Sequence, residues 1–249
     1  MSTRVEDSHA SLARQTFVTT QWTEILVAGR TNNAAGDAAL EKLCRTYWSP
    51  LYAFVRRRGY DLHEAQDLTQ GFFERLLEKD FMRSVDRNKG KFRSFLLAAL
   101  DHFLAKDWRR ARAQKRGGKM AFISLDDDSP ERQYLQVASR DLSPEQVFEQ
   151  QWALTLLNEV LAQLQKEFTE AGKKTVFEET KVFLTGEKRD ASCAQLAARL
   201  GTTEAALKMT VSRMRRRYRE LLRAEVARTV GSPEEIDTEL RALSAALSL

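Results

Sequence analysis

The chain has 249 residues, 43% of them apolar, enough for one large domain or two small ones with ordinary buried cores. Eleven glycines and four prolines are too few for a turn-rich β fold and favour helices. The net charge of +5 conceals two basic concentrations: Lys106–Lys119 and Lys208–Arg223 each hold seven basic residues against one acid, which leaves the rest of the chain at −7. A solvated helix face normally mixes both signs, so two one-sign patches on an acidic background point to a polyanion met at two places.

Other classes are disfavoured. No apolar run nears the roughly 20 residues that span a bilayer, and Met1–Thr16 is polar, without the apolar core of a signal peptide. A cytoplasmic protein that does not enter membranes is expected. Cys44 and Cys193 are far apart and read as reduced thiols. His9, His63 and His102 have no partner at metal-ligand spacing, so neither a metal nor a cofactor is expected. No carboxylate set, phosphate-binding loop or Ser/His/Asp arrangement stands out, so no catalytic residues are assigned and no enzyme is expected.

In chain order, residues 1–16 read as disordered, and Trp22, Ile25 and Leu26 after Thr20 suggest a short helix. Asp37–Arg57 carries Leu40, Leu43, Cys44, Tyr47, Leu51, Phe54 and Val55 at helical spacing. Pro50 inside it is expected to kink or divide it, and Gly59 to end it. A further helix is predicted over His63–Lys79. Phe92, Phe95, Leu96, Ala99, Leu100, Phe103 and Leu104 then form a continuous apolar stripe that runs straight into the first basic patch. Gly117-Gly118 closes this segment. Residues 119–142 show no period and read as a flexible linker.

Ser143-Pro144-Glu145 has the order of N-cap, first helical residue and favourable first-turn acid, with a helix to about Phe168. Gly172 breaks it and another helix begins near Thr175. Ser192 with Gln195 has capping-box spacing, and Leu196, Ala197 and Leu200 give a short apolar face. Gly201 supplies a tight turn, Thr203 can cap a second helix, and Leu207, Val211 and Met214 face inward. A short helix, a glycine turn and a helix ending in Arg213-Met214-Arg215-Arg216-Arg217-Tyr218-Arg219 is a helix-turn-helix pattern. After Gly231-Ser232-Pro233, the residues Ile236, Leu240, Leu243 and Leu247 mark an amphipathic tail helix.

Three blocks give this chain a resemblance to the extracytoplasmic-function (ECF) sigma factors of bacterial RNA polymerase, in the sigma-70 family. Glu64-Ala65-Gln66-Asp67-Leu68-Thr69-Gln70-Gly71-Phe72-Phe73 resembles the polymerase-docking helix, region 2.2. Lys91-Phe92-Arg93-Ser94-Phe95-Leu96 through Asp107-Trp108-Arg109-Arg110 resembles regions 2.3 and 2.4. Ala197–Arg217 resembles the region 4.2 helix-turn-helix. The blocks stand in family order and cover about Ala38–Leu222. The resemblance implies an all-α protein of two small helical domains joined by a flexible linker. On that division, 17–118 is the region 2 domain with an N-terminal extension, 119–142 the linker, 143–230 the region 4 domain and 231–249 the tail.

The resemblance implies a sigma subunit that binds core RNA polymerase, recognises the minus-10 and minus-35 promoter elements and directs transcription initiation. Trp108 would stack on an exposed base of the melted minus-10 element, or else end the apolar stripe as core; Arg109, Arg110, Arg112, Lys115 and Arg116 would hold phosphates. Thr203, Glu204, Lys208 and Ser212 would reach base edges of the minus-35 element, while Arg213, Arg215, Arg216 and Arg217 position the helix on the backbone. Glu64, Asp67 and Glu74 fall on one helix face with Glu78, and with Gln70 they would meet the polymerase, whose implied contacts are the β′ clamp helices and the β flap.

In that docking helix Gln66 and Gly71 replace acids usual in the family, and Thr69 an aliphatic. Phosphorylating Thr69 would add about −1.5 to −2 of charge, and some members of the wider family are associated with Ser/Thr kinases. The helical wheel argues against it, placing Thr69 among Ala65, Phe72, Phe73 and Leu76. A separate anti-sigma protein or a Ser/Thr kinase is a candidate regulator. A stand-alone helix-turn-helix transcriptional regulator is the alternative reading. The separate Asp107–Lys119 block, which a simple repressor does not need, favours the sigma subunit.

Overall fold

Apolar side chains recurring every three or four residues dictate helices throughout, and a computed structural model bears this out. It describes residues 34–76, 91–106, 129–137, 141–185 and 192–248, and every regular element among them is helical. The helix expected near Trp22 lies outside the described residues. In chain order the helices are α1 (Ala34–Arg57), α2 (Leu62–Leu76), α3 (Phe92–Lys106), α4 (Ser129–Val137) and α5 (Pro144–Glu170). They continue with α6 (Lys174–Thr180), α7 (Val182–Thr185), α8 (Cys193–Arg199), α9 (Glu204–Thr229) and α10 (Ile236–Ala246), the last preceded by a 3₁₀ turn at Pro233–Glu235.

The aromatic core is built on α1, whose Tyr47, Leu51, Tyr52, Phe54 and Val55 are fully buried. Phe72 and Phe73 of α2 and Phe92, Leu96 and Leu100 of α3 pack against them. Tyr47 meets Phe92 edge-on at 5.3 Å, Trp48 stacks on Phe73 at 5.5 Å, and Phe72 meets Phe103 edge-on at 5.8 Å. Pro50 does not divide α1. The burial of its neighbours Tyr47, Leu51 and Phe54 outweighs the single backbone bond that proline forfeits.

Two features depart from the expected layout. Residues 129–137, within the stretch expected to be an irregular linker, form α4. This helix is moored to α1: Arg56 clamps Glu131 through two hydrogen bonds of 2.9 and 2.8 Å, and the Tyr52 hydroxyl donates to the same carboxylate at 2.5 Å. The second feature is α5, which begins at a full capping box between Ser143 and Gln146 and runs for 27 residues. Its Phe148, Trp152, Ala153 and Leu156 belong to the aromatic core, whereas Val160 and Leu164 pack with Phe177, Met214 and Leu221 in a second core. One rod therefore joins the front and rear halves of the molecule.

The tail does more than cover the rear half. Leu243 and Ala246 of α10, together with Val226 near the end of α9, enter the same aromatic core as α1, α2 and α3. Glu239 of α10 is completely buried and pairs with Arg93, in the first turn of α3, and with Lys91 at 2.6 Å. Arg93 also bonds Glu149 of α5 at 2.7 Å and lies over the Trp152 ring at 4.5 Å. The buried charges of Arg93 and Glu239 are thus paired, as burial demands.

Candidate nucleic-acid interface

The helix-turn-helix is specified by local chemistry. The Ser192 side chain accepts a hydrogen bond from the Gln195 N–H, and the Gln195 side chain accepts one from the Ser192 N–H, so α8 starts where the sequence requires. At its other end Gly201 has φ +63°, which an L side chain adopts only under strain. That geometry lets the Gly201 N–H reach the Ala198 carbonyl at 3.1 Å and the Thr202 N–H reach the Ala197 carbonyl at 2.9 Å, a Schellman turn. Thr203 follows immediately, and its hydroxyl accepts from the Ala206 N–H to open α9. Leu196, Ala197, Leu207 and Val211 form the small core of the hairpin, with Phe183 and Leu200 against it.

The residues expected to meet duplex DNA are all exposed, but they are not equivalent. Burial of Leu207, Val211 and Met214 fixes the inward side of α9, so helical geometry puts Ala205, Met209, Ser212, Arg213 and Arg216 on the outward side. Lys208 lies on one flank in a 2.6 Å pair with Glu204, which raises the lysine pKa. Arg215 donates to the Phe183 carbonyl at 3.1 Å. Arg217 points back to α5, forked onto Glu167 at 2.9 and 2.7 Å and bonded to Glu220 at 3.2 Å. These bonds push its pKa up and hold the Glu167 carboxyl below the usual carboxylate range. Arg216 approaches Glu220 at 3.4 Å, and Arg213 has no ion pair among the described residues. Beyond Lys106, the last residue of α3, the first basic patch, with Trp108, Arg109, Arg110, Arg112, Lys115 and Arg116, lies outside the described residues. The apolar Met209 at the centre of the outward face was not among the residues singled out from sequence. A helical wheel drawn from Leu207, Val211 and Met214 would have found it.

On α2, Asp67 and Glu74 are exposed and Glu64 and Gln70 half-buried, opposite the buried Ala65, Leu68, Phe72 and Leu76. Gln70 donates to Glu74 at 3.1 Å. Glu64 also helps begin the helix: its N–H donates to the Asp61 side chain at 2.8 Å, with Asp61 three residues ahead in capping-box spacing. Glu78 lies outside the described residues. Gly71 faces α3, where an added Cβ would stand 3.4 Å from the Phe103 ring, so a larger side chain there would press on the α2–α3 contact. Thr69 has no exposed surface, and its hydroxyl donates to the Ala65 carbonyl at 2.7 Å. A kinase could reach it only after α2 had lifted from the core.

No group of three or more metal-ligating side chains, and no helix long and apolar enough to cross a membrane, occurs among the described residues. A capped helix-turn-helix carrying a cationic second helix, set in an all-helical scaffold, defines a DNA-binding protein. The chain belongs to the ECF sigma factor family, whose model matches residues 21–228. No curated protein and no solved structure matches it. It is accordingly a sigma factor that directs transcription initiation, in a family of regulatory transcription factors rather than enzymes. The match stops at residue 228, so α10 and its Glu239 lie beyond the family segment.

Proposed function

We propose that this chain joins core RNA polymerase through the acidic face of α2 and reads promoters at two elements. Asp67 and Glu74, with Glu64 and Gln70 beside them, meet the β′ clamp helices, and the rear half of the molecule meets the β flap. α9 lies in the major groove of the minus-35 element. There Lys208 and Ser212 face base edges, with Glu204 and Thr203 at the entering end, and Arg213, Arg215 and Arg216 hold the backbone. Arg217, already forked onto Glu167, steadies α9 against α5. From the sequence, Trp108 stacks on a base of the melted minus-10 element, and Arg109, Arg110, Arg112, Lys115 and Arg116 follow its phosphates.

The observation that supports this reading most is the Schellman-turned hairpin, which presents an outward cationic face on α9 within a chain that matches the family over residues 21–228. The test is run-off transcription with purified core polymerase on a pool of host promoter fragments, with and without the protein. Specific transcripts that require the protein are expected. Silence together with tight binding of the free protein to duplex DNA would instead favour the stand-alone regulator.

A further inference from the structure

Met209 is 56% exposed, and with Leu135 of α4 it is one of two large apolar side chains left in solvent among the described residues. Its position is unusual. The inward side of α9 is used by Leu207, Val211 and Met214, and Met209 stands opposite them, between Ala205 one turn before and Ser212, Arg213 and Arg216 after. No buried cluster includes it. Cationic and hydroxyl neighbours suit phosphates and base edges, but a thioether chain suits neither. In the major groove the base edges present hydrogen-bond donors and acceptors with one apolar exception, the C5-methyl group of thymine. Methionine is unbranched and polarisable, so it can follow such a methyl without a demanding rotamer. Ala205, with only a methyl of its own, keeps the preceding turn slim enough for α9 to settle deeply at this point.

We infer that Met209 reads a thymine methyl in the minus-35 element and so sets one position of promoter specificity. The inference rests on the proposal that α9 occupies the major groove, and it adds the base and the atom that this residue recognises. Burying one methyl group corresponds to about a fourfold change in binding.

The experiment uses holoenzyme, reconstituted from core polymerase and the full chain, and a promoter it transcribes. Each thymidine of the minus-35 element is replaced singly by deoxyuridine, which removes the methyl and nothing else. At one position the substitution should weaken binding by wild type about fourfold. With Met209→Ala the same substitution should have no effect, while the other positions respond as in wild type. Arg216→Ala should weaken binding to every duplex yet keep the fourfold ratio. Because Met209 is exposed, thermal melting of Met209→Ala should match wild type. An unchanged deoxyuridine ratio in Met209→Ala at every position would overturn the assignment, as would indifference of wild type to every replacement. If wild-type holoenzyme transcribed no promoter at all, the reading of α9 as a minus-35 element reader would fall, and this inference with it.

Discussion

Replacing Glu239 by Gln would remove the anion on which the junction of α3, α5 and α10 converges. Glu239 has no exposed surface; it pairs with Arg93, itself nearly buried, and with Lys91 at 2.6 Å. Removing one partner of a buried pair costs about 3–5 kcal/mol, because the other charge stays buried without compensation. Arg93 would keep Glu149 at 2.7 Å and the face of Trp152 at 4.5 Å, which places Glu239→Gln at the lower end of that range. With a urea slope of about 3 kcal/mol/M, a loss of about 3 kcal/mol lowers the midpoint by about 1 M. The double variant Arg93→Met/Glu239→Leu removes both charges at similar volume. It should recover most of the loss, since apolar replacements of buried ion pairs are often neutral or stabilising, and the half-buried Lys91 can turn its ammonium to water. Urea unfolding of wild type, Arg93→Met, Glu239→Leu and the double variant gives the coupling directly, with Glu239→Gln as a fifth protein measured beside them. A midpoint for Glu239→Gln within about 0.3 M of wild type, or a double variant weaker than Glu239→Gln, would refute the reasoning.

Three further predictions concern other parts of the molecule. Arg213→Ala should lower the slope of log K against log salt for holoenzyme on promoter DNA by about one unit. Arg217→Ala should leave that slope nearly unchanged, because its charge is engaged by Glu167 and Glu220; equal slopes for the two variants would contradict the division. The Arg56 guanidinium, with the Tyr52 hydroxyl, holds the Glu131 carboxyl below the ordinary glutamate range. The stability this lends is complete above the unfolded pKa of about 4.3 and is lost as pH falls through the lower folded value. The protection factor over 129–137, the open-chain exchange rate at a given pH divided by the observed rate, should accordingly fall in acid, and Arg56→Met should remove that acid dependence; loss of protection between pH 6 and 8 would be the wrong outcome. Thr69→Val should change stability by no more than about 1 kcal/mol, since the hydroxyl bonds only within its own helix. Thr69→Glu, by burying a carboxylate, should lower the melting temperature sharply; a melt matching wild type would mean the α2 face opens readily.

What could be read from sequence was what neighbours within a few residues decide. Ser143, Ser192, Gly201 and Thr203 mark helix ends through bonds to groups two to five residues away, and all four act as their spacing indicates. The stripe from Phe92 to Leu104 was legible for the same reason, one helix face repeating every turn. The helix α4 was not, because its mooring is Arg56, far upstream, and nine residues without that anchor have no marked period. Glu239 escaped for a related reason. Its side chain falls on the buried face of α10 with Leu243 and Ala246, where an acid is foreign, and its partner Arg93 is 146 residues earlier in the chain. The tail stripe of Ile236, Leu240, Leu243 and Leu247 foretold an amphipathic helix, but not that it would complete the aromatic core built by α1, α2 and α3. In the candidate interface charge marks the arginines, whereas the uncharged Met209 is marked only by standing opposite Leu207, Val211 and Met214 on the helical wheel of α9.

The sharing of one core by α1 and α10 has a consequence for the chain as it leaves the ribosome. Leu51, Phe54 and Phe72 are made early, but the residues that cover them include Trp152, Val226 and Leu243. At about 5–20 residues per second, the roughly 190 residues between Leu51 and Leu243 take on the order of 10–40 s to synthesise. Throughout that interval the front half cannot close, however well its own helices have formed. Its aromatic face is the surface that a nascent-chain chaperone would shield, and this core closes only after α10 has emerged.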